Sequence, residues 1–397
     1  MRLTPFGDAR DVTPFVRKFV WTESLIEGGF TWMIQLSSAG WNEWNDALIG
    51  RVELQVRLKF QTDTVESTPW RTAVVDTSKI SYRSTSLTFA IYGADKRLNM
   101  MQTDRTRAWP GTTVADVVRR IGEEWGFDVF VERTKHSTDR WQVRENDWTF
   151  LARLVDSSAV ASGRGDTYVW LDEDKLTLSA PQLQRSSDRR HSLQAVENRV
   201  DRVTLSYHGR EVDRNGGATL RVVSYDVDKK EARTFDVDRA ATESQPALAR
   251  RVPRSQDGGL RVFPGTTGEP SGVEETARAQ WGSYGPRYFA MRLDTRPDLT
   301  LKPGMIIEVQ GSLDPGQESP FLGRFVCLEV THELTSGDLS DKRTGGLITS
   351  AICYRREAYI GDDEPSGSSA VRAGTRDRYQ FGQEQTQTTT VVAEVLE

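Results

Sequence analysis

The sequence predicts an α+β protein, mostly β, and three observations carry that prediction. Hydrophobic residues alternate with polar ones near both ends of the chain, the period of a strand with one buried face. Between about residues 112 and 161 the period lengthens to that of an amphipathic helix. Hydrophobic residues make up 37% and charged residues 27% of the 397, a balance that builds packed cores rather than a disordered chain. At roughly 100–200 residues per domain, this length predicts two to four domains.

The elements follow in order. Phe30, Trp32, Ile34 and Leu36 alternate, and Gly28-Gly29 just before them suggests a hairpin turn. Arg51 to Phe60 alternates strictly, with Val52, Leu54, Val56, Leu58 and Phe60 on one side. Ile80 to Tyr82 and Leu87 to Ile91 add further strands, and no helix is predicted before residue 95. Val114, Val117, Val118, Ile121 and Trp125 then fall on one helical face, with Thr113 and Asp116 as the cap and Gly126 as the stop. A second helix is expected from about Asp147 to Ala161, capped by Asn146 or Asp147, with Trp148, Leu151, Leu154 and Val155 inward. Strands at Tyr168–Leu171 and Lys175–Leu178 flank the acidic turn Asp172-Glu173-Asp174. Trp148, Leu151, Leu154 and Trp125 are the predicted core of this small α/β unit.

Val203, Leu205 and Tyr207 alternate again. Asn215-Gly216-Gly217 predicts a hairpin turn leading to a returning strand at Thr219–Tyr225. Ser271 to Glu274 spells a capping box for a short helix with Ala277 and Trp281. Met305–Val309, Arg324–Leu334 and Leu347–Tyr354 read as strands. From Glu364 the chain turns polar and Gly/Ser-rich, a linker with a short β-prone tip at Val391–Leu396. Val391, Val392, Val395 and Leu396 are the candidate partner contacts, suited to adding a strand to another chain's sheet edge.

Composition excludes several function classes. Lys and Arg total 52 against 57 Asp and Glu, a net charge of −5, which argues against a dedicated nucleic-acid binder. No apolar run reaches the ~20 residues that span a bilayer. The first residues lack the apolar stretch of a secretory signal, so synthesis and folding in the cytosol are expected. Cys327 and Cys353 are the only cysteines; they lie on neighbouring-looking strands and a reduced, buried pair is expected. None of His136, His191, His208 and His332 stands at metal-ligand spacing from another His or a Cys. His332, alone in a strand, reads as structural. Gly163-Arg-Gly165 lacks a third glycine, and Arg164-Gly165-Asp166 is a match of the kind chance supplies. The acidic runs at 172–174 and 362–364 read as solvated turns rather than cation sites. Trp41 and Trp44 can form an exposed patch for sugar or protein contact; the preferred reading is that they plug the ends of a β-barrel. No catalytic residue, metal or cofactor is predicted.

Segment order is more informative. Thr106 to Val118 runs Thr-Arg-Ala-Trp-Pro-Gly-Thr-Thr-Val-Ala-Asp-Val-Val, and Gly126-Phe127 follows as a helix stop. Then come Gln142, Glu145, Asp147, Trp148, Phe150, Leu151 and Leu154, a glutamine, a polar cap, aromatics and a leucine-bearing helix. Leu301-Lys-Pro-Gly-Met-Ile-Ile-Glu-Val309 and Gly323 to Gly337, with its Val-Thr-His turn, complete the set. In this order the segments resemble the tail-hub (baseplate hub) family of phages and contractile injection systems. That family includes the late-control tail protein and the hub part of type VI spike proteins.

The resemblance implies two β-barrel tube-like domains, at residues 1–95 and 195–356, with an α/β domain at 96–194 inserted between them and an extended tail at 357–397. It implies a homotrimer that adapts a six-fold tail tube to a three-fold spike around a channel for genome passage. The expected partners are the tube or distal tail protein, a separate spike protein and other baseplate subunits, with DNA only in transit and no membrane insertion. The expected location is the virion tail, assembled in the host cytoplasm. Two other functions compete with this one, a tail-associated cell-wall hydrolase and a receptor- or glycan-binding adhesin.

Overall fold

The computed structural model describes residues 2–3, 10–11, 15–37, 53–61, 65–67, 71–83, 86–134, 137–156, 167–179, 189–192, 200–207, 219–226, 231–238, 260–264, 289–295, 297–310, 323–335, 346–355 and 390–394. The first β-rich region holds β1 (Arg2–Leu3), β2 (Arg10–Asp11), β3 (Val16–Ser24), β4 (Gly29–Ser37), β5 (Glu53–Gln61), β6 (Val65–Ser67), β7 (Arg71–Arg83) and β8 (Ser86–Ala94). The insert holds α1 (Arg97–Met101), β9 (Asp104–Thr113), α2 (Val114–Glu124), β10 (Asp128–Val131), β11 (Ser137–Asn146), α3 (Asp147–Asp156), β12 (Tyr168–Asp172) and β13 (Lys175–Ser179). The second β-rich region holds β14 (Arg189–Ser192), β15 (Val200–Tyr207), β16 (Thr219–Asp226), β17 (Glu231–Asp238), β18 (Leu260–Pro264), β19 (Phe289–Thr295), β20 (Ile306–Gln310), β21 (Gly323–Thr335) and β22 (Gly346–Arg355). β23 (Thr390–Glu394) is the last strand.

The chain is mostly β with few helices. Its two β-rich regions are joined edge to edge in one 13-stranded sheet, ordered β15-β19-β22-β21-β3-β4-β8-β7-β5-β23, with β6 on β5 and β14–β20 attached through β21. The seam is the antiparallel ladder of β3 with β21, from Ser24 opposite Glu329 to Lys18 opposite Thr335. The core crosses the seam with it. Phe19, Trp21, Phe30, Ile34, Leu36, Phe89 and Ile91 pack in one cluster with Leu299, Leu334 and Leu347 of the second region. Trp21 and Phe30 stack with ring centroids 4.8 Å apart. No closed ring of strands appears among the described residues.

Strand β4 buries Phe30, Trp32, Ile34 and Leu36, as its alternation predicts. Among the described residues, the two strands expected on either side of Asn215-Gly216-Gly217 do not pair with each other. β15 pairs with β19, and β16 belongs to a separate sheet with β17 and β18. Alternation marks a buried face without naming the partner strand, and the partner of β15 is the distant β19. The turn itself, the capping box at 271–274, Trp41 and Trp44, the tripeptide at 164–166 and the acidic run at 362–364 lie outside the described residues.

The insert has its own core. Val114, Val117, Val118 and Ile121 of α2 meet Trp148, Phe150, Leu151, Leu154 and Val155 of α3, over Leu176 and Leu178 of β13. Thr113 caps α2 by accepting from the Asp116 N–H, and Gly126 ends it at φ 76°. At α3, Asn146 is the cap: its Oδ1 accepts from the Thr149 N–H at 2.9 Å. α3 is described to Asp156, short of the predicted Ala161.

Candidate functional site

Polar residues concentrate where the insert meets the sheet. The turn between β3 and β4 closes with the Gly28 N–H donating to the Ser24 carbonyl at 2.9 Å. Gly28 has φ +78°, and a Cβ there would stand 2.4 Å from Trp148 Cζ2 and 2.6 Å from the Val169 carbonyl oxygen. The turn is thus wedged against α3 and β12. The Gly28 carbonyl accepts from the Leu171 N–H at 2.8 Å, tying the turn to β12 directly.

Behind the turn lies a buried ion pair. Asp95, 1% exposed at the end of β8, accepts from the Phe30 N–H at 2.7 Å and the Arg97 N–H at 3.0 Å. Arg97 Nε stands 3.2 Å from the same carboxylate, and its guanidinium also reaches the carbonyls of Glu27 and Phe30. The guanidinium lies 5.8 Å from the centre of the Trp148 ring. Burial pushes the Asp95 carboxyl up to about 6, against the opposing pull of Arg97 and the two backbone donors.

A second clamp uses the acidic turn. Arg71, 5% exposed at the start of β7, pairs with Asp172 and stands 3.8 Å from Glu23 and 3.9 Å from Glu173. Lys96 reaches Asp174 at 2.5 Å. The run Asp172-Glu173-Asp174 is exposed, as the sequence predicts, and its carboxylates also pair with Arg71 and Lys96. It is the part of the insert that grips the sheet. Exposed carboxylates contribute little each. Arg71 is buried, however, and a buried guanidinium without partners would be strongly destabilising.

The motif that suggested the tail-hub resemblance forms a lock inside the insert. Asp147 is fully buried and accepts from Arg107 at 3.0 and 3.1 Å, Gln142 Nε2 at 2.8 Å and Trp125 Nε1 at 2.9 Å. Arg105 adds an ion pair at 3.4 Å. Gln142 also donates to the Glu145 carbonyl at 2.9 Å, and Glu145 pairs with Arg153 at 2.9 Å. Asp147 thus holds the β9–β11 ribbon to α2 and α3 instead of capping α3. Its donors satisfy the carboxylate on several sides, an arrangement that rigidifies the lock.

Trp148, Leu151 and Leu154 are buried in the insert core, and Trp125 is half-buried against it. Val391 and Val392 lie in β23, which pairs with β5 of its own chain, Val391 opposite Phe60 and Val392 opposite Lys59. Val395 and Leu396 lie outside the described residues. His332 is buried in β21 with Nδ1 3.0 Å from Thr349 Oγ1, and burial lowers its pKa to about 4. Among the described residues, no group of His, Cys, Asp and Glu side chains is arranged to hold a metal ion. No helix among them is long and apolar enough to cross a membrane. Sequence reasoning missed Arg71 because its acidic partners come from other parts of the chain, and missed Asp95 and Arg97 because nothing in their two-residue spacing marks the pair as buried.

No protein-family model and no curated protein sequence matches this chain. Solved structures do. A tail protein from Neisseria meningitidis MC58 superposes with a TM-score of 0.61 at 10% identity, over 90% of this chain and 97% of that one. The 43 kDa tail protein of prophage MuSo2 from Shewanella oneidensis gives 0.60 at 14% identity, over 90% and 99%. An E. coli component of the type VI secretion system, described as structurally similar to the T4 bacteriophage tail proteins gp27 and gp5, gives 0.50 at 16% identity, over 91% and 79%. Over about nine-tenths of its length the chain is thus similar in fold to a tail protein, a prophage tail protein and a type VI secretion component.

Proposed function

We propose that this chain is a structural hub subunit of a phage tail or tail-like injection particle. Three copies form a ring that adapts a six-fold tube to a three-fold spike and encloses a channel for DNA. In this reading residues 1–95 and 195–356 each supply one tube-like β-barrel domain, so that three chains present six. The insert at 96–194 stands at the periphery, and the protein works without catalysis in the virion tail beside tube, spike and baseplate subunits. The observation that carries the reading is the likeness in fold to two tail proteins over 97% and 99% of their lengths. The buried clamps at Asp95 and Arg71 support it, since a load-transmitting ring needs the insert held rigidly. The segment at 357–397 acts as a partner contact through Val391, Val392, Val395 and Leu396. β23 pairs with β5 of its own chain, so a partner contact through Val391 and Val392 requires β23 to leave that edge for the equivalent one on a neighbour.

Light scattering and negative-stain class averages test the ring. A mass of three chains with a three-fold, open-centred projection is expected. A six-fold ring of this chain, or a monomer that persists with tube and spike proteins present, overturns the proposal.

A further inference from the structure

We propose that Cys327 and Cys353 form a site of oxidative cross-linking, closed by a hydroperoxide into a disulfide between β21 and β22. The two residues stand directly opposite each other in the antiparallel ladder. The Cys327 N–H donates to the Met305 carbonyl at 2.8 Å, and the Cys327 carbonyl accepts from the Gly304 N–H at 2.7 Å. Both backbone groups of Cys327 therefore point away from β22, which makes Cys327–Cys353 a non-hydrogen-bonded pair. Such pairs hold their Cα atoms about 4.5 Å apart, closer than hydrogen-bonded pairs. That separation falls in the range of roughly 4.4–6.8 Å that a disulfide spans.

The surroundings leave the sulfurs to each other. Both thiols are free and fully buried, among Met291, Phe325, Val330 and Ala351. The Cys327 thiol donates to the Glu329 carbonyl at 3.5 Å, and Cys353 is the titratable group beside it. Burial and that neighbouring thiol raise the Cys327 pKa well above its usual value, so thiolate is scarce and the reaction is slow. A small neutral oxidant is the kind that enters.

The chemistry balances with one peroxide. One sulfur attacks an oxygen of hydrogen peroxide: an S–O bond forms, the O–O bond breaks, and the released hydroxide leaves as the first water with the thiol proton. The facing sulfur then displaces hydroxide from the sulfenic acid. The S–S bond forms, the S–O bond breaks, and the second proton leaves with it as water. Two thiols are oxidised and one hydroperoxide is reduced. Because the second sulfur is already in place, the sulfenic acid is trapped before it takes up more oxygen. The new bond would staple β21, the strand on which the two halves of the sheet meet.

The test exposes the folded full-length protein to hydrogen peroxide, removes the peroxide with catalase, then unfolds and alkylates with N-ethylmaleimide. Intact mass should show loss of two hydrogens and no alkylation, on a chain that migrates as a monomer without reductant. Dithiothreitol should restore both alkylation sites, and a peptide map should join the segments bearing Cys327 and Cys353. In Cys353→Ser and Cys353→Ala, peroxide should instead leave Cys327 reduced or carry it to sulfinic acid. Two thiols that still alkylate after exposure, oxygen adducts in the native chain, or cross-links between chains would each overturn the proposal. None of these readouts depends on oligomeric state, so the hub reading stands or falls separately.

Discussion

Gly28→Ala tests the wedge between the β3–β4 turn and the insert. The substitution carries two costs that can be separated. Gly28 sits at φ +78°, and an L-residue in that region costs roughly 1–2 kcal/mol. The added methyl would also lie 2.6 Å from the Val169 carbonyl oxygen, a backbone atom that cannot rotate aside, and 2.4 Å from the Trp148 ring. Overpacking of this kind adds about 1–3 kcal/mol, for a total of about 2–5 kcal/mol. Gly126 is the control. It has φ +76° and nothing within 4 Å of its built Cβ, so Gly126→Ala should lose only the conformational part, about 1–2 kcal/mol. Urea denaturation of both variants measures the difference. Hydrogen exchange gives a local readout: the Leu171 N–H, bonded to the Gly28 carbonyl at 2.8 Å, should lose protection in Gly28→Ala and keep it in Gly126→Ala. Equal losses in the two variants, with Leu171 protected in both, would refute the wedge.

Three further outcomes are expected. The Asp95 carboxyl, raised from 3.8 to about 6, favours its protonated form in the folded state, so its contribution to stability is full below pH 3.8 and is lost as pH rises through 6. Relative to Asp95→Asn, the wild type should therefore lose up to about 3 kcal/mol across that window, and a flat difference in urea midpoints would contradict the burial argument. Trp148→Ala should cost about 3–5 kcal/mol as a buried large aromatic, and an unchanged melting temperature would show that the ring is not packed. Asp147→Ala strands the donors of Arg107, Gln142 and Trp125 and should cost about 3–5 kcal/mol, read as early loss of the insert's near-UV circular dichroism signal.

The elements legible in the sequence are those whose determinants sit within a few residues of one another. Thr113, Asp116 and Gly126 bound α2 because a cap and a stop are local chemistry. β4 shows an unbroken alternation, so its buried face is plain in the sequence. β3 is harder, since a register shift between Val16 and Lys18 breaks its alternation, with Val16, Phe19, Trp21 and Ser24 buried. The β9–β11 ribbon inverts the usual pattern. Trp141 and Val143 are each 63% exposed while Gln142 between them is fully buried, so hydrophobicity points the wrong way. The Arg71 clamp is illegible for another reason: Arg71 and Asp172 are about a hundred residues apart, and only the folded sheet brings them together.

The seam between β3 and β21 also sets a timetable for the nascent chain. Lys18 and Glu333, which pair diagonally across it at 2.6 Å, are 315 residues apart in sequence. Closing a loop that long costs about 5 kcal/mol of chain entropy beyond a fixed term, and contacts of such range form late. A ribosome adding about 5–20 residues per second needs about 15–60 s to travel from one side of the seam to the other. Through that interval β3 can pair with β4 on one side while its other edge waits for a strand that has not been made. An unpaired edge recruits whatever strand is near, including the same edge on a neighbouring nascent chain. Slower elongation over the last third of the message should therefore lower the yield of soluble protein more than the same delay placed before β3 is complete.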